Sequence, residues 1–399
     1  MRNRRKNVVL ILALFIVLAV FVGVKAINSV MPDEDYEDAV KLFKTEQYDE
    51  ACARVQLAIK KNGEKADYYI LYGMSLIGCA DYENARKQFL HVVQNKDNKL
   101  SREINKQAYR GIALTYYESG VYDQAKAYFQ LSLDTDAFDE MDSDLKAYVA
   151  ECEMYLGEYG EAVKSFSNLI DNKDGDKEAI ISYYMGRANA YMITGEYLKA
   201  ADDYEQALDR NKECYPAYVG KYLALYNTHD ENAANEFLKN SIEMLQKKEK
   251  DYYYLAILEY YNNNYNTALD IFVDEKDNGN KEADYYIGLI KQSQGFYEKA
   301  LSHYEEYIAA VPSGKTAEFC NQVGGCYMAL EDYEQAAEYF ETGALLSGGN
   351  LKQEVLRNRI IAYEKLGEYN KAAEYAEEYI EQYDDPEMIT EYKFIQTRI

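Results

Sequence analysis

Residues 184–204 read YMGRANAYMITGEYLKAADDY. Tyr184, Ala188 and Tyr191 lie four and then three residues apart, which puts them on one face of a helix. Gly195 ends that helix, as glycine does at a C-terminus. A second helix follows, its Ala200 and Tyr204 again four apart behind Tyr197. The same offsets recur at Tyr69, Gly73, Leu76, Ala80, Tyr82, Ala85 and Phe89, and again at Tyr109, Ala113, Tyr116, Gly120, Tyr122, Ala125 and Phe129. The unit is therefore a helix, a tight turn and a second helix, and it repeats.

The alanine of the second helix can be followed at Ala51, Ala85, Ala125, Ala162, Ala200, Ala233, Ala268, Ala300, Ala336 and Ala372. That gives ten repeats with steps of 32 to 40 residues. The extra length falls at Lys96–Glu103, Asp134–Asp142 and Asn172–Lys177, where added loop costs little. The phrases Gly157-Glu158-Tyr159, Gly195-Glu196-Tyr197 and Gly367-Glu368-Tyr369 mark the inter-helix turn. The pattern resembles the tetratricopeptide repeat, in which a large residue, a small one and a Tyr are followed by an Ala and an aromatic. Pro312 stands where that family places its closing proline, while the family's opening Trp is absent throughout. The first repeat (Ala39, Tyr48, Ala51) and the sixth (Lys221, Asp230, Ala233) are degraded. Thr228-His229-Asp230 in the sixth marks a candidate break between subdomains. The resemblance implies an all-α chain, a right-handed α-solenoid superhelix of about ten helix hairpins over residues 33–384. Residues 385–399 then form a capping helix.

Composition fits long helices: 43 Tyr, no Trp and only 4 Pro among 399 residues. Residues 1–32 hold Arg2, Arg4, Arg5, Lys6 and Lys25 and no acid, which leaves residues 33–399 with a balance of −30. A domain this acidic repels nucleic acid and anionic lipid surfaces. Val8–Val24 is an uncharged apolar run behind the basic cluster, followed by Asp33, Glu34 and Asp35. We read 1–7 as a cytoplasmic stub and 8–27 as a transmembrane helix. The positive-inside rule then puts the repeat array outside the cytoplasmic membrane. A cleaved signal peptide, cut near Val24-Lys25-Ala26, would deliver the array to the same side, although the apolar run is longer than such a core requires.

Nothing in the chain reads as catalytic, and no metal or cofactor is expected. His91, His229 and His303 are far apart, and no phosphate loop or nucleophile elbow occurs. The six cysteines (52, 79, 152, 214, 320, 326) read as small packing residues, with Cys52 and Cys79 the one pair worth testing as a bridge.

Tetratricopeptide repeats line a concave surface with their first helices, at one, five, eight or nine residues after each opening position. The resemblance thereby assigns a partner-binding groove to Met185, Asn189, Met192, Tyr218, Tyr222, Tyr226, Ile257, Tyr260 and Tyr261. The family's clamp for a peptide carboxylate uses Lys, Arg and Asn, which Arg110, Asn189, Asn321 and Arg357 match only singly. The expected partner is a protein or peptide with an apolar, aromatic or basic segment. The expected function is a non-catalytic, membrane-anchored scaffold. A carbohydrate or wall-polymer binder and a self-associating structural subunit are the alternatives.

Overall fold

The computed structural model describes residues 33–248, 251–346 and 349–399. The stub at 1–7 and the membrane helix expected at 8–27 lie outside them. No helix of the described residues is long and apolar enough to cross a membrane.

Among the described residues the chain is all-α, with 21 helices, two short 3-10 turns and no strand. They fall into two compact units that divide at Arg187/Ala188. In the first unit the hairpins are α1 (Glu34–Lys44) with α2 (Tyr48–Lys61), α3 (Ala66–Gly78) with α4 (Tyr82–Val92), α5 (Lys99–Glu118) with α6 (Tyr122–Leu133), and α7 (Asp142–Tyr155) with α8 (Tyr159–Asp171). The division falls inside α9 (Lys177–Thr194), which pairs with α10 (Tyr197–Arg210). The second unit continues with α11 (Tyr215–Asn227) and α12 (Glu231–Lys248), α13 (Tyr252–Tyr261) and α14 (Tyr265–Asp277), and α15 (Ala283–Ser293) and α16 (Tyr297–Ala310). It ends with α17 (Ala317–Ala329) and α18 (Tyr333–Leu346), α19 (Gly349–Leu366) and α20 (Tyr369–Gln382), and a last helix α21 (Pro386–Gln396) on α20. Within each unit every helix packs on the next. First helices of neighbouring hairpins also touch: α1 with α3 and α3 with α5, then α11 with α13, α13 with α15 and α17 with α19.

One turn builds all ten hairpins. Glu46, Ala80, Gly120, Gly157, Gly195, His229, Asn263, Gly295, Glu331 and Gly367 all take left-handed backbone, with φ from 59° to 83°. In nine of them the next amide reaches a carbonyl five residues back, as Glu196 N does to Tyr191 O at 2.8 Å and Asp332 N to Tyr327 O at 3.0 Å, while in the sixth the Asp230 amide donates to the Thr228 hydroxyl at 3.4 Å. This closes the helix C-terminus. Only half of these positions are glycine, so residue type alone hides the pattern. Five residues beyond each lies a fully buried alanine: Ala51, Ala85, Ala125, Ala162, Ala200, Ala268, Ala300, Ala336 and Ala372 are all 0% exposed. In the sixth repeat the buried residue is Ala234, at 0%, and not Ala233. His229 (φ 63°) holds the turn there, so Glu231 occupies the place Tyr takes elsewhere and the register moves by one. The sixth turn thus keeps the left-handed residue with a different hydrogen bond, and the boundary between compact units lies at 187/188 instead of 228–230. A smaller correction concerns Lys99–Glu103, read as loop, which forms the start of α5.

Helices approach closely where an aromatic ring meets bare backbone. A Cβ added to Gly220 would stand 2.4 Å from the Tyr204 ring, and one added to Gly288 2.5 Å from the Tyr304 ring. In the first unit α5 is also tied to α7 by buried charge. Lys106, with 1% of its side chain exposed, bonds Asp142 at 2.6 Å, and Arg110 bonds Asp144 at 2.8 Å.

Candidate functional site

The residues of carboxylate-clamp type all have internal partners. Arg110 is 4% exposed and donates through Nε and Nη2 to Asp144 at 3.0 and 2.8 Å. Asn321 donates to Glu354 at 2.8 Å and accepts from Asn358 at 2.9 Å. Arg357 donates to Asp385 at 3.1 Å and Glu387 at 3.0 Å. Asn189 accepts from the Tyr204 hydroxyl at 2.7 Å. A clamp needs free donors converging on one point, and Arg110, Asn321 and Arg357 spend theirs on internal carboxylates, while Asn189 is engaged through its Oδ1.

The groove residues read from sequence divide by burial. Met185 lies half-buried in the first unit, and the other eight belong to the second. There Met192, Tyr260 and Tyr261 are half-buried, Asn189 is exposed, and Tyr226 is 54% exposed. Tyr218, Tyr222 and Ile257 are only 7%, 4% and 3% exposed. The register shift in the sixth repeat explains the first two. Counted from the His229 turn, Tyr218 is the opening residue of α11 and Tyr222 falls on the buried position four later, where Ala188 stands in α9.

The tyrosines of the second unit nevertheless form one continuous run. Tyr226 and Tyr222 have ring centroids 6.1 Å apart, and Tyr222 lies 5.2 Å from Tyr261 on α13. Tyr261 meets Tyr260 at 5.2 Å, and Tyr260 meets Tyr286 on α15 at 6.0 Å. Tyr286 meets Tyr285 at 5.4 Å, and Tyr285 meets Tyr307 on α16 at 5.3 Å. Burial is the main reason the phenols of Tyr261, Tyr285 and Tyr286 are pushed above their ordinary range, and the Glu318 carboxylate on α17 adds to it. Tyr260 is pushed up to about 12, by burial first and then by Tyr265 and Glu318. Burial also raises Glu318 above the usual carboxylate value, as does the like charge of Glu354. Its side chain is nevertheless exposed to water.

Sequence reading missed Tyr285, Tyr286 and Glu318. Tyr285 follows the opening position of the eighth repeat by one, so the register rule reaches it. Glu318 precedes the ninth repeat's opening position and falls outside that rule.

Other chemistry is dispersed. His91 packs on Tyr69, His229 forms a turn, and His303 Nδ1 lies 2.8 Å from Asp284. All six cysteines are free thiols. The Cys79 thiol donates to Asp49 at 3.4 Å, and burial pushes Cys52 up to about 12, with the neighbouring Cys79 adding to the shift. No group of three or more His, Cys, Asp or Glu among the described residues is arranged to hold a metal ion.

The tetratricopeptide repeat family model matches residues 150–218 and 326–385. No curated protein matches the sequence. Among solved structures, the Cut9–Hcn1 hetero-tetramer of APC/C is 12% identical, with 91% of this chain and 83% of that chain covered at a TM-score of 0.45. A tetratricopeptide repeat protein from Parabacteroides merdae is 18% identical, covering 64% and 98% at a TM-score of 0.44. The C-terminal part of a repeat protein from Cytophaga hutchinsonii is 17% identical, covering 72% and 99% at a TM-score of 0.46. The matched segments carry the tetratricopeptide pattern, and the left-handed turn found in them recurs in all ten hairpins of the described residues.

Proposed function

We propose that this chain is a non-catalytic scaffold that docks other proteins on the tyrosine-lined face of its second unit and is held at a membrane by residues 8–27. Tetratricopeptide repeats are in general scaffolds for protein–protein interaction. The observation that carries the reading is the continuous run from Tyr226 to Tyr307 across α11, α13, α15 and α16. Tyrosine supplies large, rigid contact area with a polar tip, the residue type that dominates binding hot spots. Because Tyr226 is 54% exposed, part of the run is reachable by a partner. With the donors of Arg110, Asn321 and Arg357 occupied, an extended face is favoured over capture of a peptide terminus.

The membrane part of the proposal rests on the basic cluster Arg2–Lys6, the apolar run Val8–Val24 and the acidic residues that follow. Residues 33–384 then form the repeat array outside the cytoplasmic membrane, closed by 385–399. A protease added outside intact cells should digest the array, and full protection would reverse the topology. For docking, full-length protein purified from gently solubilised membranes is compared with a Tyr226→Ser/Tyr260→Ser variant that keeps its helical content. A co-purifying protein lost with the variant supports the proposal. Identical co-purification from both contradicts it.

A further inference from the structure

Cys52 and Cys79 lie at the junction of the first and second hairpins. Cys52 sits on α2, four residues after Tyr48 and three after Asp49, so the three share one face of that helix. That face lies against the end of α3. A Cβ added to Gly78 would stand 2.4 Å from the Tyr48 ring, and the Cys79 thiol donates to Asp49 Oδ1 at 3.4 Å. The same register two repeats on gives an independent measure of the junction. Lys126 stands six residues beyond the Gly120 turn, as Cys52 stands six beyond the Glu46 turn. The Lys126 ammonium reaches Glu153 at 3.2 Å and also Glu158, just past the next repeat's turn. Position 52 correspondingly faces the stretch 76–81, in which Cys79 lies. Both cysteines are half-buried and so within reach of a small reagent, whereas Cys152, Cys320 and Cys326 are buried.

We propose that Cys52 and Cys79 form a disulfide site whose bridge staples the first hairpin to the second. The inference goes beyond the docking reading and stands without it. The oxidant is itself a disulfide, carried by a small molecule or by a thiol oxidoreductase. The Cys79 thiol gives up its proton, its sulfur attacks one sulfur of the reagent, and the reagent's S–S bond breaks to release one thiolate. The Cys52 thiol then gives up its proton, and its sulfur attacks the Cys79 sulfur of the mixed disulfide and releases the second thiolate. Both protons end on the released sulfurs, so two cysteine thiols are oxidised while one reagent disulfide is reduced. Burial pushes the Cys52 thiol up to about 12 and raises Cys79 as well, where the bond to Asp49 adds to it. Thiols held that high are poor leaving groups, so the finished bridge exchanges slowly and acts as a staple, not as a labile switch. The position gives the bridge something to hold. Among the described residues the first repeat has a neighbouring repeat on one side only, and an end repeat is where an array opens first. A loop closed from 52 to 79 limits that opening. Disulfides persist outside the cytoplasm, the side given to the array under the proposed topology.

The test uses the full-length chain in mild detergent, first reduced and then treated with oxidised glutathione. Remaining thiols are alkylated, and the digest is mapped by mass spectrometry. A peptide pair linked through Cys52 and Cys79, short of two hydrogens, should be the main disulfide product. Amides of α1 and α2 should then exchange at least about tenfold more slowly than in the reduced chain. Both states have one sequence, so the comparison does not depend on a variant that folds. Cys79→Ser, a change of similar size at a half-buried position, should give no linked pair and no slowing under the same treatment. Glutathione adducts at Cys52 and Cys79 without a linked pair, links from either one to a different cysteine, or a linked pair that leaves exchange in α1 and α2 unchanged overturns the inference. Each of these results leaves the docking proposal standing.

Discussion

Removing the Asp144 carboxylate should cost far more than deleting an ordinary ion pair. Arg110 has 5% of its side chain exposed and Asp144 has 11%, and two guanidinium nitrogens converge on one carboxylate oxygen at 3.0 and 2.8 Å. The Asp144→Ala variant leaves that guanidinium buried with no counter-charge at its tip, a change worth about 3–5 kcal/mol. A surface pair would be worth less than about 1 kcal/mol. Replacing both partners, as Arg110→Met with Asp144→Leu, removes the stranded charge and should recover most of the loss. A repeat array opens piecewise, so a single melting point is a poor reporter. Native-state hydrogen exchange read by mass spectrometry over α5–α8 is the suitable assay. Protected amides there should exchange roughly 10²- to 4 × 10³-fold faster in Asp144→Ala, since each factor of ten is about 1.4 kcal/mol. Acceleration of less than about fivefold, or a double variant no better than the single one, refutes the reasoning.

Gly220→Ala should destabilise the second unit by about 1–3 kcal/mol, because its Cβ would meet the Tyr204 ring at 2.4 Å; exchange in α10 and α11 reads this, and an unchanged rate counts against the packing. Glu331→Gly should stabilise by about 0.5–1 kcal/mol in urea unfolding, since φ is 61° there and glycine removes the strain; a loss would show that Glu331 makes contacts outweighing it. Glu318 is raised by burial and by Glu354, amid Tyr260, Tyr261, Tyr285, Tyr286, Tyr304 and Tyr307. With the folded pKa raised, its favourable contribution is complete below about pH 4 and disappears as pH rises through the folded value. Amides of α17 should therefore exchange more slowly in Glu318→Gln than in wild type at neutral pH and show equal protection in acid, and the opposite order would contradict the assigned environment.

Much of the fold is legible in the spacing of small and aromatic residues, because helix pairs tolerate only alanine or glycine where their backbones approach. Gly195 and Ala200 fix a turn and its buried contact, and that interval of five recurs through the chain. The sixth repeat hid its register because Glu231 replaces the Tyr and two alanines stand side by side at 233 and 234. That one-residue slip placed the buried Tyr218 and Tyr222 on the groove list. Arg110 was read as a position facing a partner, whereas its partner is Asp144, 34 residues on in the following repeat. Such a pair is invisible until neighbouring repeats are laid side by side. Glu318 was overlooked because an acid in the first turn of a helix reads as an ordinary favourable interaction with the helix dipole. Its significance comes from tyrosines on three other helices.

The docking face is tested most directly by contact. A photo-reactive phenylalanine is placed at Tyr226, 54% exposed, in the full-length chain in its own membranes, with the same group at Leu198, 69% exposed, as the control. The account predicts a discrete cross-linked protein from position 226 that is absent from position 198. The same products from both positions, or none from 226, would contradict it.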